Sequence, residues 1–199
     1  MARPRAFSEE HVLDQAMETF WVKGYEATSI EDLTEATGLS RSSLYQAFDN
    51  KRGLLDAALG YYNTERVGYM LSGLEGTDAG LDEIVGFFNT LAAVAEEYPE
   101  RFALGCLTTN TIAELGKTDP AARSTGDEYI NRYRRAFDMA LRNAERRGEV
   151  TPGNAEARSE LLTTLVLGAF IRARGNPDPK GQLAITGAVT ALVDSWKTL

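Results

Sequence analysis

The sequence is short of most things that staple or arm a small protein. Among 199 residues there is one cysteine, Cys106, and one histidine, His11. A single thiol cannot close an intramolecular disulfide, and the Cys/His spacings of zinc sites are missing, so neither a structural metal nor a cofactor is expected. A nucleophilic cysteine needs a base within hydrogen-bond reach, and the lone imidazole falls in the first helix, far from Cys106 in the chain. No glycine-rich phosphate loop appears either, which argues against an enzyme. Long apolar runs are lacking too. The longest uncharged segment, Gly181 to Val193, falls well short of the ~20 residues of a membrane span, and MARPRAF at the start has no apolar run behind its charges. The reading is a soluble, cytoplasmic protein with no membrane partner. Strand-like alternation does not persist beyond a few residues, so the fold class is all-α. Positive charge is scarce as well: 21 Lys and Arg stand against 29 Asp and Glu, a formal net charge of −8.

Helical periodicity is what the sequence does have, with 43% hydrophobic residues to bury. Val12, Leu13, Ala16, Met17 and Phe20 line one face of a first helix, with Ser8 as N-cap and Gly24 past its end. A second helix is expected from Ile30 to Thr37: Thr28 and Ser29 can both cap it, Glu31 completes a capping box with Thr28, and Gly38 ends it. Leu39 fills a corner, Ser40 caps a third helix from Arg41 to Phe48, and Asp49-Asn50 breaks the chain before a long helix from Lys51 to about Gly73. Two short helices joined by a glycine-containing turn form the helix-turn-helix pattern. Leu33, Ala36, Leu39, Leu44 and Phe48 would be their shared core, which leaves Arg41, Ser42, Ser43, Tyr45 and Gln46 with no inward role. A solvated helix in an all-α bundle would account for that face; so would a partner outside the chain.

The stretch GYEATSI, the corner Leu-x-x-Ala-x-Gly-Leu-Ser, and SLYQAFDNKRGLL together resemble the N-terminal domain of the TetR/AcrR family of bacterial transcriptional regulators. The most specific part is the run Leu44, Tyr45, Phe48, Lys51, Leu54. The resemblance covers residues 8 to 55 and implies a palindromic double-stranded DNA operator as partner. It implies phosphate contacts from Thr28, Tyr45 and Lys51, and helix N-termini favour anions. It places Arg41, Ser42, Ser43 and Gln46 where side chains reach base edges; Arg pairs with guanine and Gln with adenine. Ser42 departs from the glycine found in many relatives, which alters the bases within reach. Arg3 and Arg5 are candidates for a minor-groove arm, or for a solubilising tail.

Charge opposes this assignment. Residues 1 to 52 carry six Lys/Arg (Arg3, Arg5, Lys23, Arg41, Lys51, Arg52) against nine Asp/Glu, so the footprint is not basic overall. Glu10, Asp14 and Glu18 recur every four residues along one face of the first helix. Weak non-specific affinity and reliance on a two-headed dimer follow.

The boundary is drawn at 1–50 for the helix-turn-helix domain and 51–199 for a larger helical domain. In the latter, helices are expected near Leu81–Glu97, Phe102–Leu115, Ala121–Arg147, Ala155–Arg174 and Gly181–Leu199. Tyr129, Tyr133, Phe137 and Leu141 repeat every four residues, a stripe that reads as core before it reads as pocket. The resemblance implies that this domain binds a small effector and forms a homodimer. Candidate effector-binding residues are Phe87, Phe88, Leu91, Cys106, Thr109, Asn110 and Tyr133. Thr108 to Thr111 is unusually polar within an apolar helix; the hydroxyls either converge on a ligand or bond back to the preceding turn. LLTTLVLGAF and LAITGAVTALV, nearly uncharged and rich in small residues, suit a four-helix dimer interface, with burial inside the subunit as the alternative. A repressor released from its operator by effector is the function implied. A switch at Cys106, by oxidation or an electrophile, and control by a protein partner are the rival readings; a Gly-Cys-Leu element in parts of the family carries such a sensor.

Overall fold

A computed structural model describes residues 8–198. Helix α1 (Glu9–Lys23) starts from Ser8, whose hydroxyl accepts the His11 N–H, and ends at Gly24, which has a positive φ. Helices α2 (Ile30–Thr37) and α3 (Arg41–Phe48) follow as expected, then α4 (Lys51–Tyr62). The capping box of α2 differs from the expected one. Ser29 accepts the Asp32 N–H at 3.0 Å and Asp32 accepts the Ser29 N–H at 2.9 Å, so the box is Ser29/Asp32 and not Thr28/Glu31. Thr28 is excluded because its hydroxyl turns inward to the Gly24 carbonyl, 2.5 Å away, at the end of α1.

The long helix expected to reach Gly73 is interrupted. After Tyr62 the chain widens into a π-helical turn over Asn63–Val67 and regains α-helix only in α5 (Gly68–Leu71). Arg132 stabilises the widened turn by donating to the Asn63 carbonyl at 2.7 Å, and Thr108 donates to the Asn63 side chain at 2.9 Å. Both partners come from distant helices.

The larger domain comprises α6 (Leu81–Glu97), α7 (Pro99–Phe102), α8 (Leu107–Leu115), α9 (Pro120–Arg146), α10 (Ala155–Gly175) and α11 (Pro179–Asp194). The helix expected over Phe102–Leu115 is therefore two, separated at Gly105, whose φ of +67° is left-handed and whose added Cβ would press on the Phe170 carbonyl. The last helix stops at Asp194 because the following residues return to the α9–α10 connection, where Thr198 donates its N–H to Glu149 at 2.8 Å.

Helix α4 packs on α1 and α3, α9 packs on α6, α8 and α10, and α11 lies on α6. One continuous core joins Met17 and Phe20 of α1 and Leu54 and Leu59 of α4 to Phe88, Tyr133 and Phe137. No helix among the described residues is long and apolar enough to cross a membrane.

Asp32 allows a test of the α2 cap. The Lys23 ammonium, 2.6 Å away, and then the N–H and hydroxyl of Ser29 hold its carboxyl at about 2, below the ordinary 3.8. A carboxyl whose folded-state pKa is depressed stabilises the fold above its unfolded pKa and loses that contribution as pH falls through the folded one. Urea midpoints should therefore drop further between pH 5 and pH 2.5 in the wild type than in Asp32→Asn. Equal drops would show that ionisation of Asp32 contributes nothing.

Candidate nucleic-acid interface and effector core

Helix α3 buries one side chain fully, Leu44, against Leu33 of α2, while Leu39 and Phe48 are half-buried and close the corner. Ala36, expected in that core, is only half-buried. Ser40 caps α3, accepting the Ser43 N–H, and its hydroxyl lies 2.9 Å from those of both Ser42 and Ser43. Opposite Leu44, Arg41, Ser42 and Gln46 are exposed and Ser43 and Tyr45 are half-buried. Arg41 lies over the Tyr45 ring at 5.4 Å, donates to its hydroxyl at 3.3 Å, and has Glu31 4.0 Å away. The guanidinium is thus held over the helix with its side chain 64% exposed.

Two of the three expected phosphate contacts are changed by the structure. Thr28 is 1% exposed and its hydroxyl is committed to Gly24, so its side chain is not offered to a phosphate; Ser29, one residue on, is exposed at the start of α2. Lys51 donates to the Tyr25 carbonyl at 2.8 Å and the Thr28 carbonyl at 2.9 Å, with its ammonium 4.2 Å from the Tyr25 ring centroid. One of its three N–H bonds is left for an anion, and the other two tie α4 to the loop before α2. Arg3 and Arg5 lie outside the described residues.

The effector candidates divide into two groups. Phe87, Phe88 and Tyr133 meet in one cluster with Phe137, at ring separations of 5.4 to 6.1 Å, and Leu91 is buried on the same helix. Cys106 joins them: its Sγ is 3.1 Å from the Tyr129 hydroxyl, and the Tyr129 and Tyr133 rings are 5.0 Å apart. Thr109 and Asn110 do not join. They line an open groove of about 510 Å³ beside Lys23, Ala113 and Arg174, and the Asn110 amide donates to the Leu104 carbonyl. The polar run of α8 serves several ends. Thr111 bonds back to Leu107 and Thr108 reaches Asn63, while the buried Thr109 hydroxyl has no partner.

Tyr62, which no spacing had singled out, also faces Cys106, and burial followed by the nearby thiol pushes the Tyr62 and Tyr129 phenols well above their ordinary range. The Tyr129–Leu141 stripe is core, as its period implied. Phe87 also forms the floor of an open groove of about 420 Å³ between α5 and α6, walled by Met70, Leu74 and Gly86.

A model of bacterial regulatory proteins of the tetR family matches residues 12–58, and one of the tetracyclin repressor-like C-terminal domain matches residues 80–184. The chain belongs to the TetR family. It is 29% identical over 192 residues to the HTH-type transcriptional repressor ComR of Escherichia coli K12, covering 96% of this chain and 90% of that one. A cysteine mutant of the TetR family regulator CifR, solved with 26-bp double-strand operator DNA, superposes with a TM-score of 0.82 at 26% identity, over 98% of this chain and 100% of that one. A TetR regulator from Chloroflexus aurantiacus gives 0.83 at 27% identity, over 96% of each. The protein is a DNA-binding transcriptional regulator and not an enzyme.

In this TetR-family chain the head is joined to the larger domain by charge and by one aromatic wedge. Trp21 is buried, stacks edge-on against Tyr62 at 5.0 Å, and donates its indole N–H to the Leu104 carbonyl at 3.1 Å. Arg101 pairs with Glu18 and covers the Trp21 ring, Arg174 donates to the Trp21 carbonyl at 3.1 Å, and Arg52 pairs with Asp119. Sequence spacing could not reveal these pairs, since the hydrogen bonds and ion pairs among them link residues 67 to 153 positions apart.

The double duty of Lys51 makes a prediction. Lys51→Ala should weaken DNA binding about equally for all sequences, lower the salt slope by about 1, and cost about 1–2 kcal/mol of stability through two orphaned carbonyls. Salt titration and urea unfolding measure the two effects separately. Unchanged stability would mean that the carbonyl contacts carry no weight.

Proposed function

We propose that the protein is a homodimeric repressor that occupies a palindromic operator and leaves it when a small effector binds the larger domain. The observation that carries the reading is the face of α3. Arg41, Ser42 and Gln46 are exposed opposite the single buried anchor Leu44, in a chain that superposes as a whole on a relative solved with operator DNA. Arg41 and Gln46 are the base readers, with Ser42 and Ser43 beside them; Tyr45, Lys51 and the α2 N-terminus meet phosphates.

Dimerisation is supported by the outer faces of α10 and α11. Leu161, Ile171 and Leu183 are 43%, 58% and 42% exposed, and Gly168 and Gly187 have open space around them. Two copies of this face would bury apolar surface that one copy leaves in water, at about 25 cal/mol per Å². The dimer sets the separation of its two recognition helices, and an operator rewards only about 34 Å, one helical turn. The effector then acts by favouring a dimer whose separation no longer fits. The Phe87–Phe88–Tyr133 cluster suits a largely apolar effector, with the Cys106, Tyr62 and Tyr129 hydrogens as polar contacts.

Cys106 supports a second reading, in which an electrophile or oxidant modifies the thiol. It is the one cysteine of the chain and is fully buried, which favours the non-covalent reading. Operator release by mild oxidant or a reactive aldehyde, lost in Cys106→Ser, would reverse that preference.

Two further outcomes test the main reading. Arg41→Ala should cost about 1–3 kcal/mol of operator affinity and relax preference at one base position, measured on a panel of single-base operator variants. Ala188→Glu, on the exposed face of α11, should give monomers in sedimentation and abolish operator binding while the head stays folded. A dimeric Ala188→Glu protein would move the interface elsewhere.

A further inference from the structure

Helix α8 reaches from the aromatic cluster to the DNA-reading head. It starts from Cys106, within the phenol cluster. Near its other end Glu114 leaves the larger domain: its carboxylate accepts the Tyr25 N–H at 3.0 Å and the Glu26 N–H at 2.8 Å, both in the loop between α1 and α2. Two successive N–H groups on one carboxylate form a charge-assisted pair that fixes direction as well as distance. The chain is shaped to admit it. Gly24, just before the pair, has a φ of +83°, and a Cβ there would come within 3.1 Å of Glu114 Oε2. Lys51, at the start of α4, holds the carbonyls of Tyr25 and Thr28. The loop that launches α2 is therefore gripped between α8 and α4.

We propose that Glu114 is a positioning residue: its carboxylate, carried on α8, sets the angle of the α2–α3 head against the larger domain, and so the separation of the two recognition helices. This rests on the operator-binding dimer of the preceding section. The energetics favour a directing role over a stabilising one. Glu114 is exposed, and hydrogen bonds open to water add little net stability. Packing across the seam comes instead from buried Trp21. Two hydrogen bonds, one to each carboxylate oxygen, nonetheless restrict the loop, because a shift of α8 is taken up by the Glu114 side chain, by movement of Tyr25 and Glu26, or by loss of a bond.

The test uses the full chain, Glu114→Ala and Glu114→Gln, and a duplex enriched by the wild type from random DNA, remade with one base pair more or fewer between half-sites. Amide exchange at Tyr25 and Glu26, followed by NMR, should quicken at least about tenfold in Glu114→Ala while α9 amides stay protected. The wild type should prefer the selected spacing by at least about tenfold, Glu114→Ala by under about threefold, and Glu114→Gln, which keeps one acceptor oxygen, by an intermediate factor. A merely structural role would lower affinity by the same factor at every spacing, and that result, like unchanged exchange, overturns the proposal. Should the wild type enrich no sequence at all, the operator reading itself fails and the positioning role falls with it; the exchange measurement, which needs no DNA, still reports whether the clamp exists.

Discussion

A helix of two turns cannot hold itself together in water, because nucleation costs more than its few hydrogen bonds return. Helix α3 has eight residues and one fully buried side chain, so its existence and its direction are borrowed from α2 and α4. The loan is secured at both ends. Ser40 caps the start, and Asp49, the only non-glycine among the described residues with a positive φ, turns the chain sharply at the finish. Between them Leu44 is the pivot. Whatever shifts the α1–α4 pair therefore shifts Arg41 and Gln46, and in the proposed dimer those residues serve only when two copies present them at the right separation.

An acidic protein that binds a polyanion needs its carboxylates turned elsewhere, and the structure does this by pairing them across the seam. The stripe of Glu10, Asp14 and Glu18 on α1 faces the larger domain in part: Glu18 meets Arg101, and Asp14 lies 3.7 Å from Arg66 on the π-helical turn. Asp32 is tied to Lys23 on the flank of the head. The same pairs that join the domains thus reduce repulsion at the DNA face. Among the described residues of α1 to α4, Lys23, Arg41 and Arg52 each have an acidic partner and Lys51 is held by two carbonyls, so little of their charge is left uncompensated.

Helix ends were legible wherever the signal was local. Ser8, Gly24, Gly38 and Ser40 mark the termini of α1 to α3 by side-chain size and hydroxyl chemistry alone. Where two neighbours satisfied the same local rule, distant atoms decided. Thr28 and Ser29 both suit an N-cap, and the Gly24 carbonyl together with Lys23 on Asp32 selects Ser29. The π-helical turn was hidden for the same reason, since it depends on Arg132, far along the chain. The effector candidates separated by helical face: Cys106 begins α8 on the side of Tyr129, whereas Thr109 and Asn110 line the opposite groove, and no period within the polar run distinguishes the two sides. Nothing local marks Glu114, because its partners are backbone amides 89 and 88 positions earlier in the chain.

The release proposed for this protein sets an energetic requirement on its effector. Moving a two-state dimer from almost wholly operator-competent to almost wholly incompetent takes about 5.5 kcal/mol of differential binding. A hydrogen bond contributes about 1 kcal/mol net, so the thiol and three phenols around Cys106 could not supply it even if all engaged. At about 25 cal/mol per Å², the shortfall and more is met by roughly 220 Å² of apolar surface buried in one state and not the other, about the surface of one aromatic side chain. The cluster of Phe87, Phe88, Tyr133 and Phe137 has that scale. In the proposed switch, apolar burial would therefore be the source of the energy, and the hydroxyls and thiol, each costly to leave unpaired in that surrounding, would decide which apolar molecule is admitted.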